Sequence, residues 1–433
     1  MQIRIPHSIA AALAIGCGSP QATGTSTPAS PIASSIEGAF GRVTSLSFGP
    51  DNVLFVGDTT AGTISALDVG SDPAYRDGHF NLFDVDRTIA GHFGVAPHTL
   101  SIPDLAVHPE TAEVYVAVAQ TTPDATTSAI VKVTPSGQVV SIDASAASHH
   151  TLADPVASDR MFWGRVSART YAITDMDYDD GYVYVSGLSN ADFASTLHKV
   201  PYPFDGTEAA SSVGIYHAAH GQTETRAPIR TQEIVELRGE TYLLAAYTCT
   251  PLVLIAVDDV KPGAHITGKT IAELGYGNTP RDLFQVTAPD PATGQMATTV
   301  FLTNEHRMAK SIRLADIEAA LDLPALDRPV DPRAVFAGVP FTPVPTFDST
   351  SSAAQGTGRV LHLRNARSGG GLDLVSTPAG SYARLTDFVG EYDFPEWTCP
   401  PEARQMMAMG GTFAAMEGVD MSTIRTGRVC DER

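Results

Sequence analysis

Positive charge is scarce in this chain. Its 433 residues carry 28 Lys and Arg against 48 Asp and Glu, a formal net charge of −20. Affinity for phosphate backbones comes from Lys and Arg, so the acidity excludes nucleic-acid binding as a leading role. Long apolar runs are missing too: the stretch from Ile9 to Ile15 is too short to cross a bilayer as a helix. Nucleotide, zinc-protease, serine-hydrolase and haem signatures are absent, since no Walker-type glycine loop, GxGxxG, HExxH, GxSxG or CxxCH occurs. What is present is 43% hydrophobic residues, enough for a large core.

The N-terminus reads as an export signal. Met1 to Gly16, MQIRIPHSIAAALAIG, has one positive charge at Arg4 and then a short apolar run. Ala14 and Gly16 ahead of Cys17 resemble the bacterial lipobox, which implies that Cys17 is acylated and becomes the mature N-terminus. Gly18 after the cysteine implies, by the same resemblance, the outer membrane. An ordinary secretion signal with cleavage nearby is the alternative. Gly18 to Ser35 carries no charge and little apolar bulk, which suits a flexible tether. The expected segments are a signal over 1–16 and a tether over 17–36. Three further cysteines follow, Cys249, Cys399 and Cys430, for which three pairings are possible. A Cys399–Cys430 bridge within the C-terminal tail is favoured, with Cys249 free.

Beyond the tether, short β-rich segments recur in groups. The series runs Val43–Phe48, Val53–Val56 and Thr63–Val69, then Leu105–Val107, Val114–Ala119 and Ala129–Val133. It continues with Met176–Tyr178, Tyr182–Val185 and Thr196–Val200, then Ile234–Leu237, Thr241–Tyr247 and Leu252–Val257. GPDN at Gly49–Asn52, HPET at His108–Thr111 and DDG at Asp179–Gly181 sit between the first and second strands of their units. Fourth strands are expected at Phe80–Val85, Val139–Ile142, Val213–Tyr216 and Thr270–Leu274. Leu283–Val286, Thr299–Thr303 and Ser311–Leu314 make a fifth unit, and Val360–Leu363, Leu372–Val375 and Tyr382–Phe388 a degenerate sixth. Grouping in fours fits a β-propeller better than a sandwich.

Units such as VTSLSFGPDNVLFVGDTTAGTISALDV, Val43 to Val69, resemble blades of the NHL and SMP-30/gluconolactonase-like group of six-bladed propellers. The resemblance covers about residues 40 to 390 and implies a fold rather than an activity. The Glu-Gly-Pro start that carries a metal-binding Glu in SMP-30 enzymes has only Glu37-Gly38-Ala39 as its counterpart. The expected fold is therefore all-β, a six-bladed β-propeller of four-stranded antiparallel blades over 37–390. Helix is expected at Leu314–Leu321 and in a short C-terminal appendix over 391–433, where Pro400 opens a helical pattern.

Aligned by first strand, the units place Ser45, Asp104, Asp175, Glu233 and Asp282 just ahead of the first apolar residue. First strands are innermost in a propeller, so these positions should form a ring around the central channel. Converging carboxylates repel unless a cation neutralises them, and hard oxygen ligands favour Ca²⁺. Asp104, Asp175, Glu233 and Asp282 are thus candidate metal ligands. The bland alternative is that each Asp bonds to a neighbouring backbone N–H.

The face where first strands begin also gathers His92, His98, His149, His150, His217, His220 and Arg230, with Cys249 at the exit of a second strand. Three functions are compatible. The first is an exported, lipid-anchored propeller that binds a ligand or protein partner on this face, over a cation-containing channel mouth. The second is a metal-dependent lactonase or esterase, as the SMP-30 resemblance allows, with His217 or His220 moving protons. The third is a redox accessory protein with copper or zinc at Cys249 and neighbouring histidines.

Overall fold

The structure, a computed structural model, describes residues 35–379 apart from short breaks at 76–77, 124, 163, 250, 276–277, 291–292, 306–307, 332–335, 345–348, 357 and 366–369. The signal segment, Cys17, the strand expected at Tyr382–Phe388, the helical appendix and the Cys399–Cys430 pair lie outside the described residues.

Six antiparallel sheets of at least four strands form six blades. Numbered in chain order by their inner strands, they begin at Val43–Phe48 (blade 1), Leu100–Val107 (blade 2), Asp175–Asp179 (blade 3), Ile229–Leu237 (blade 4), Pro280–Pro289 (blade 5) and Ser349–Gln355 (blade 6). Inner strands touch one another in a closed circle, in the order 2, 1, 3, 4, 5, 6 and back to 2. Each of the six contacts has its own apolar cluster. Leu46, Val56, Tyr115 and Ile130 join blades 1 and 2, Phe55, Ile64, Met176 and Val185 join 1 and 3, and Leu197, Ile215, Leu243 and Val253 join 3 and 4. The circle continues through Val235, Leu244, Leu283 and Leu302 to blade 5, through Phe284, Phe301 and Val360 to blade 6, and through Leu105, Val116, Leu361 and Leu374 back to blade 2. Each fully buried side chain of this kind contributes about 1.5–3 kcal/mol, so ring closure is mainly a hydrophobic event.

Turn chemistry sets the blades locally. Asp51 and Asn52 both have positive φ (53° and 64°), as do Asp180 and Gly181 (42° and 84°) and Arg238 and Gly239 (55° and 78°). Two consecutive positive-φ residues make the tight turn that matches strand twist, which is why Asp, Asn and Gly stand there.

Two expectations are corrected. Phe80–Val85 is not the fourth strand of blade 1: Asn81–Leu82 pairs with Leu372–Pro378 and closes blade 6, while Ser148–Thr151 returns from blade 2 to complete blade 1. Phe80 is buried against blade 6, its N–H donating to Ser376 Oγ at 2.9 Å, and that burial outweighs local continuity. The crossing segment is fastened as it passes under blade 2, Asp72 N–H donating to Glu113 Oε2 at 3.0 Å and Ala112 N–H to Tyr75 O at 3.0 Å. Second, Val360–Leu363 belongs to the second strand of blade 6, Arg359–Asn365, not its first. The true inner strand, STSSAAQ, is too polar for an apolar-run search because half of it faces the channel.

Helix is confined, among the described residues, to Val85–Phe93 and Leu314–Ala319 plus short 3₁₀ turns. The second was expected. The first buries Val85, Ile89 and Ala90, a four-residue spacing that a helical search would have found.

Candidate functional site

Antiparallel alternation puts the starts of inner strands, the exits of second strands and the ends of fourth strands on one face. Two of the cavities that open there among the described residues, a central and a lateral one, share no lining residue.

The central cavity, about 470 Å³, lies on the ring axis. The inner strands present Asp104, Ser45, Asp175, Thr231, Asp282 and Ser351 at one level, in spatial order around the ring. Carboxylates therefore alternate with neutral side chains. Each carboxylate is engaged by the next blade. Asp104 Oδ2 accepts from Leu46 N–H at 2.6 Å and Oδ1 from its neighbour Leu105 N–H at 2.8 Å. Asp175 accepts from Ser45 Oγ (3.1 Å) on one side, from Thr231 Oγ1 and Gln232 N–H (both 2.8 Å) on the other, and from Met176 N–H at 2.9 Å. Asp282 accepts from Thr303 Oγ1 (2.6 Å), Ser352 N–H (3.0 Å) and Ser351 Oγ (3.2 Å).

The register corrects one site residue. Thr231, paired with Ala246 just after a bulge as Ser45 and Ser351 are after theirs, occupies the ring position in blade 4, and Glu233 stands two residues beyond it. Glu233 does not line the cavity. It accepts from Gln285 Nε2 at 2.9 Å and faces Asp177, which it helps push up. A bulge between Ile229 and Thr231 shifts this strand, and bulges occur at the same height in four other inner strands. In blade 4 polar Gln232 and Glu233 follow Thr231, so an alignment anchored on the first apolar residue, Ile234, lands two residues past the ring.

Electrostatics follow from this wiring. Burial, then repulsion from Asp175 and Asp282, raises Asp104 well above the ordinary carboxylate range. Asp282 is pushed up to about 7 by burial first and Asp175 second, and Glu233 to about 7 by burial, with Asp175 adding to it. Donors from neighbouring blades pull downward but do not win.

Above the belt, three arginines line the mouth: Arg42, Arg230 and Arg281. Each stands one to three residues before a belt residue, so the belt fixes its backbone. Asp58, a second-strand exit, accepts from Gly41 N–H at 2.6 Å and Arg42 N–H at 3.1 Å. Arg281 pairs with Glu305 at 3.0 Å. Arg42 and Arg230 have no carboxylate partner among the described residues: Arg42 donates to Thr126 Oγ1, and Arg230 lies over the Tyr171 ring with its Nε buried and unbonded. Thr44, Thr170, Thr174 and Thr350 supply hydroxyls around them.

The second cavity, about 650 Å³, lies at the junction of blades 3 and 4 and holds His217, His220, Glu224 and Cys249. His217 ends the fourth strand of blade 3, and Gln222–Glu224 folds back on it as a hairpin in which His217 pairs with Gln222. Glu273 Oε1 accepts from Ala218 N–H at 2.6 Å and Ala219 N–H at 3.2 Å, pinning the turn. Thus the HxxH segment has a fixed geometry that its sequence does not reveal. Glu224 reaches both rings through Nδ1, His220 at 2.6 Å and His217 at 3.1 Å, and is held down to about 2; burial opposes these bonds and is overcome. His217 is raised to about 9 against its own burial by Cys249, Glu224 and Glu273. Cys249 is a free thiol at φ 88°.

Other histidines of this face are structural. His149 bonds Ser65 Oγ at 2.8 Å, and His150 and His198 hold Glu208 between blades 1 and 3 at 2.8 and 3.2 Å. His92 Nε2 meets Ser141 Oγ at 2.8 Å.

No protein-family model and no curated protein matches the sequence. Solved structures are similar in architecture only. The PQQ-bound aldose sugar dehydrogenase from Streptomyces coelicolor is 11% identical at a TM-score of 0.33, covering 79% of this chain and 96% of that one. Virginiamycin B lyase from Staphylococcus aureus is 9% identical at 0.28, covering 78% and 84%. Drosophila Semaphorin 1a, extracellular domains 1–2, is 9% identical at 0.33, covering 79% and 87%.

Proposed function

We propose that this chain is an exported, lipid-anchored binding protein whose central funnel takes a small organic anion, a carboxylate or phosphate carrying hydroxyl groups. One observation carries the reading. In a chain of net charge −20, Arg42 and Arg230 face a polar cavity and have no carboxylate partner among the described residues. The planar guanidinium fork matches carboxylate and phosphate, and the threonine hydroxyls around it suit a hydroxylated skeleton. A volume of about 470 Å³ fits a ligand of sugar-acid size.

The belt below supports this as scaffold rather than as a calcium centre, because its carboxylates are already occupied by donors of the adjacent blades. The hydrolase reading loses support from the same geometry: its proposed metal ligands and its proposed base, His217 or His220, line different cavities.

Titration calorimetry with glucuronate, citrate, glucose 6-phosphate and neutral glucose tests the reading. Anionic members are expected to bind and glucose not to. Arg42→Gln with Arg230→Gln should weaken binding by at least about tenfold, the loss of one charge-assisted pair. Equal binding of glucose and glucuronate, or undiminished affinity in the double variant, rejects it.

A further inference from the structure

The junction of blades 3 and 4 is independent of the funnel. We infer that His217, His220 and Cys249 form a binding site for one borderline-soft transition-metal ion, zinc or copper, open on one side to the cavity they line. One ligand atom from each of the three lies within 4.8 Å of the other two. A tetrahedral zinc ion with Zn–N of about 2.0–2.1 Å and Zn–S of about 2.3 Å holds its ligand atoms about 3.3–3.8 Å apart, so small side-chain rotations close the set.

The donor set selects the metal. Two imidazoles and a thiolate are a combination that zinc and copper share, and one that Ca²⁺ and Mg²⁺, which demand oxygen, do not accept. A single Cys–His pair would equally suit a nucleophilic thiol. The second imidazole, tilted 37° against the first with ring centroids 3.7 Å apart, is what points to a metal. A second observation agrees. Glu224 meets both rings at Nδ1, the outer carboxylate that commonly orients metal-bound histidines.

Separate parts of the fold bring these residues together. The hairpin after blade 3 supplies both histidines and Glu224, the second-strand exit of blade 4 supplies the cysteine, and Glu273 from the fourth strand of blade 4 ties the hairpin to it. His217 is only 1% exposed, whereas the His220 side chain is 48% exposed, so an ion can enter from solvent and settle on a buried ligand. Three protein ligands leave a fourth position facing Phe162, Thr223, Arg226 and Thr248, where water or an anionic molecule could coordinate.

The experiment uses the full chain, stripped of metal and titrated with Zn²⁺ against a chromophoric chelator, with Co²⁺ and Cu²⁺ as spectroscopic probes. One equivalent of zinc is expected, and the cobalt or copper form should show a thiolate-to-metal charge-transfer band. Cys249→Ser should abolish that band and weaken zinc binding at least about 100-fold. His220→Ala, at an exposed turn position, should weaken it similarly while circular dichroism shows an intact fold. Glu224→Gln should cost about 10–100-fold. No stoichiometric zinc, or affinity unchanged in both Cys249→Ser and His220→Ala, overturns the site. So does a Cys249 thiol that iodoacetamide alkylates equally fast with and without zinc, the mark of a bare nucleophile.

Discussion

The same side chain behaves in opposite ways at two places on this face. Carboxylates of the channel belt have hydroxyls, amides and backbone N–H groups as partners and one another as near neighbours, so burial drives Asp282 up to about 7. Glu208 and Glu224 meet imidazoles, and their bonds to histidine outweigh burial to hold both down to about 2. The difference lies in depth of burial and in partner charge together. A carboxyl surrounded by neutral donors is a lock that works with or without its proton, while one paired with imidazole is a fixed anion able to orient cations and metal-bound rings. That division is why the belt reads as scaffold and the blade 3–4 corner as chemistry.

Removing a belt carboxylate should break the comparison most severely. Asp175 takes hydrogen bonds from blades 1 and 4 as well as its own strand, so Asp175→Ala leaves several buried donors unmatched and should cost about 3–5 kcal/mol in urea unfolding. Asp175→Asn keeps one acceptor oxygen and should cost clearly less. If Asn were as damaging as Ala, the negative charge itself would be essential and the neutral-lock account would fall.

Protons sharpen the contrast next. Asp282 is raised from an ordinary 3.8 to about 7, so its contribution is complete below about pH 3.8 and is lost as pH rises through 7. Glu208 is lowered from 4.5 to about 2, so its contribution is complete above about pH 4.5 and is lost as pH falls towards 2. Stability should therefore peak near about pH 4 and decline by roughly 3–4 kcal/mol towards pH 8. Asp282→Asn should flatten the alkaline limb and Glu208→Gln the acid limb, read as melting temperature against pH. A wild-type profile that rises steadily to pH 8 would contradict the belt's electrostatics.

How much of this was legible beforehand depended on whether one strand or two had to be read. Turns such as Asp51-Asn52 and the apolar second strands identify blades from local chemistry alone, which is why the fold was accessible. Ring order was not, because the swap of Asn81–Leu82 into blade 6 and Ser148–Thr151 into blade 1 is decided by contacts hundreds of residues apart, such as Phe80 with Ser376. Within the site, Asp104, Asp175 and Asp282 were placed correctly on the channel from spacing. Glu233 is not on it, since the ring residue Thr231 is followed by two polar residues and the first apolar residue of that strand is Ile234. Arg42 and Arg281 carry no sequence signal, because an arginine's place at the channel mouth is visible only in three dimensions. Cys249 and the two histidines were each recognisable as ligand types, but only the hairpin pairing of His217 with Gln222 shows that they converge.

The smallest test concerns the neutral positions that alternate with the carboxylates. Ser45 offers Asp175 a single hydroxyl bond at 3.1 Å, while blade 4 offers two contacts at 2.8 Å. Ser45→Ala should therefore cost only about 0.5–1.5 kcal/mol, the net worth of one such bond. It should also push Asp175 further up, because that hydroxyl lowers it, moving the alkaline limb of the stability profile to higher pH. Thr231→Val should cost more than Ser45→Ala, since its bond is the shorter one, 2.8 Å against 3.1 Å. Equal losses would mean that the belt averages its donors around the ring, and the alternation of charged and neutral positions would then have no energetic meaning blade by blade.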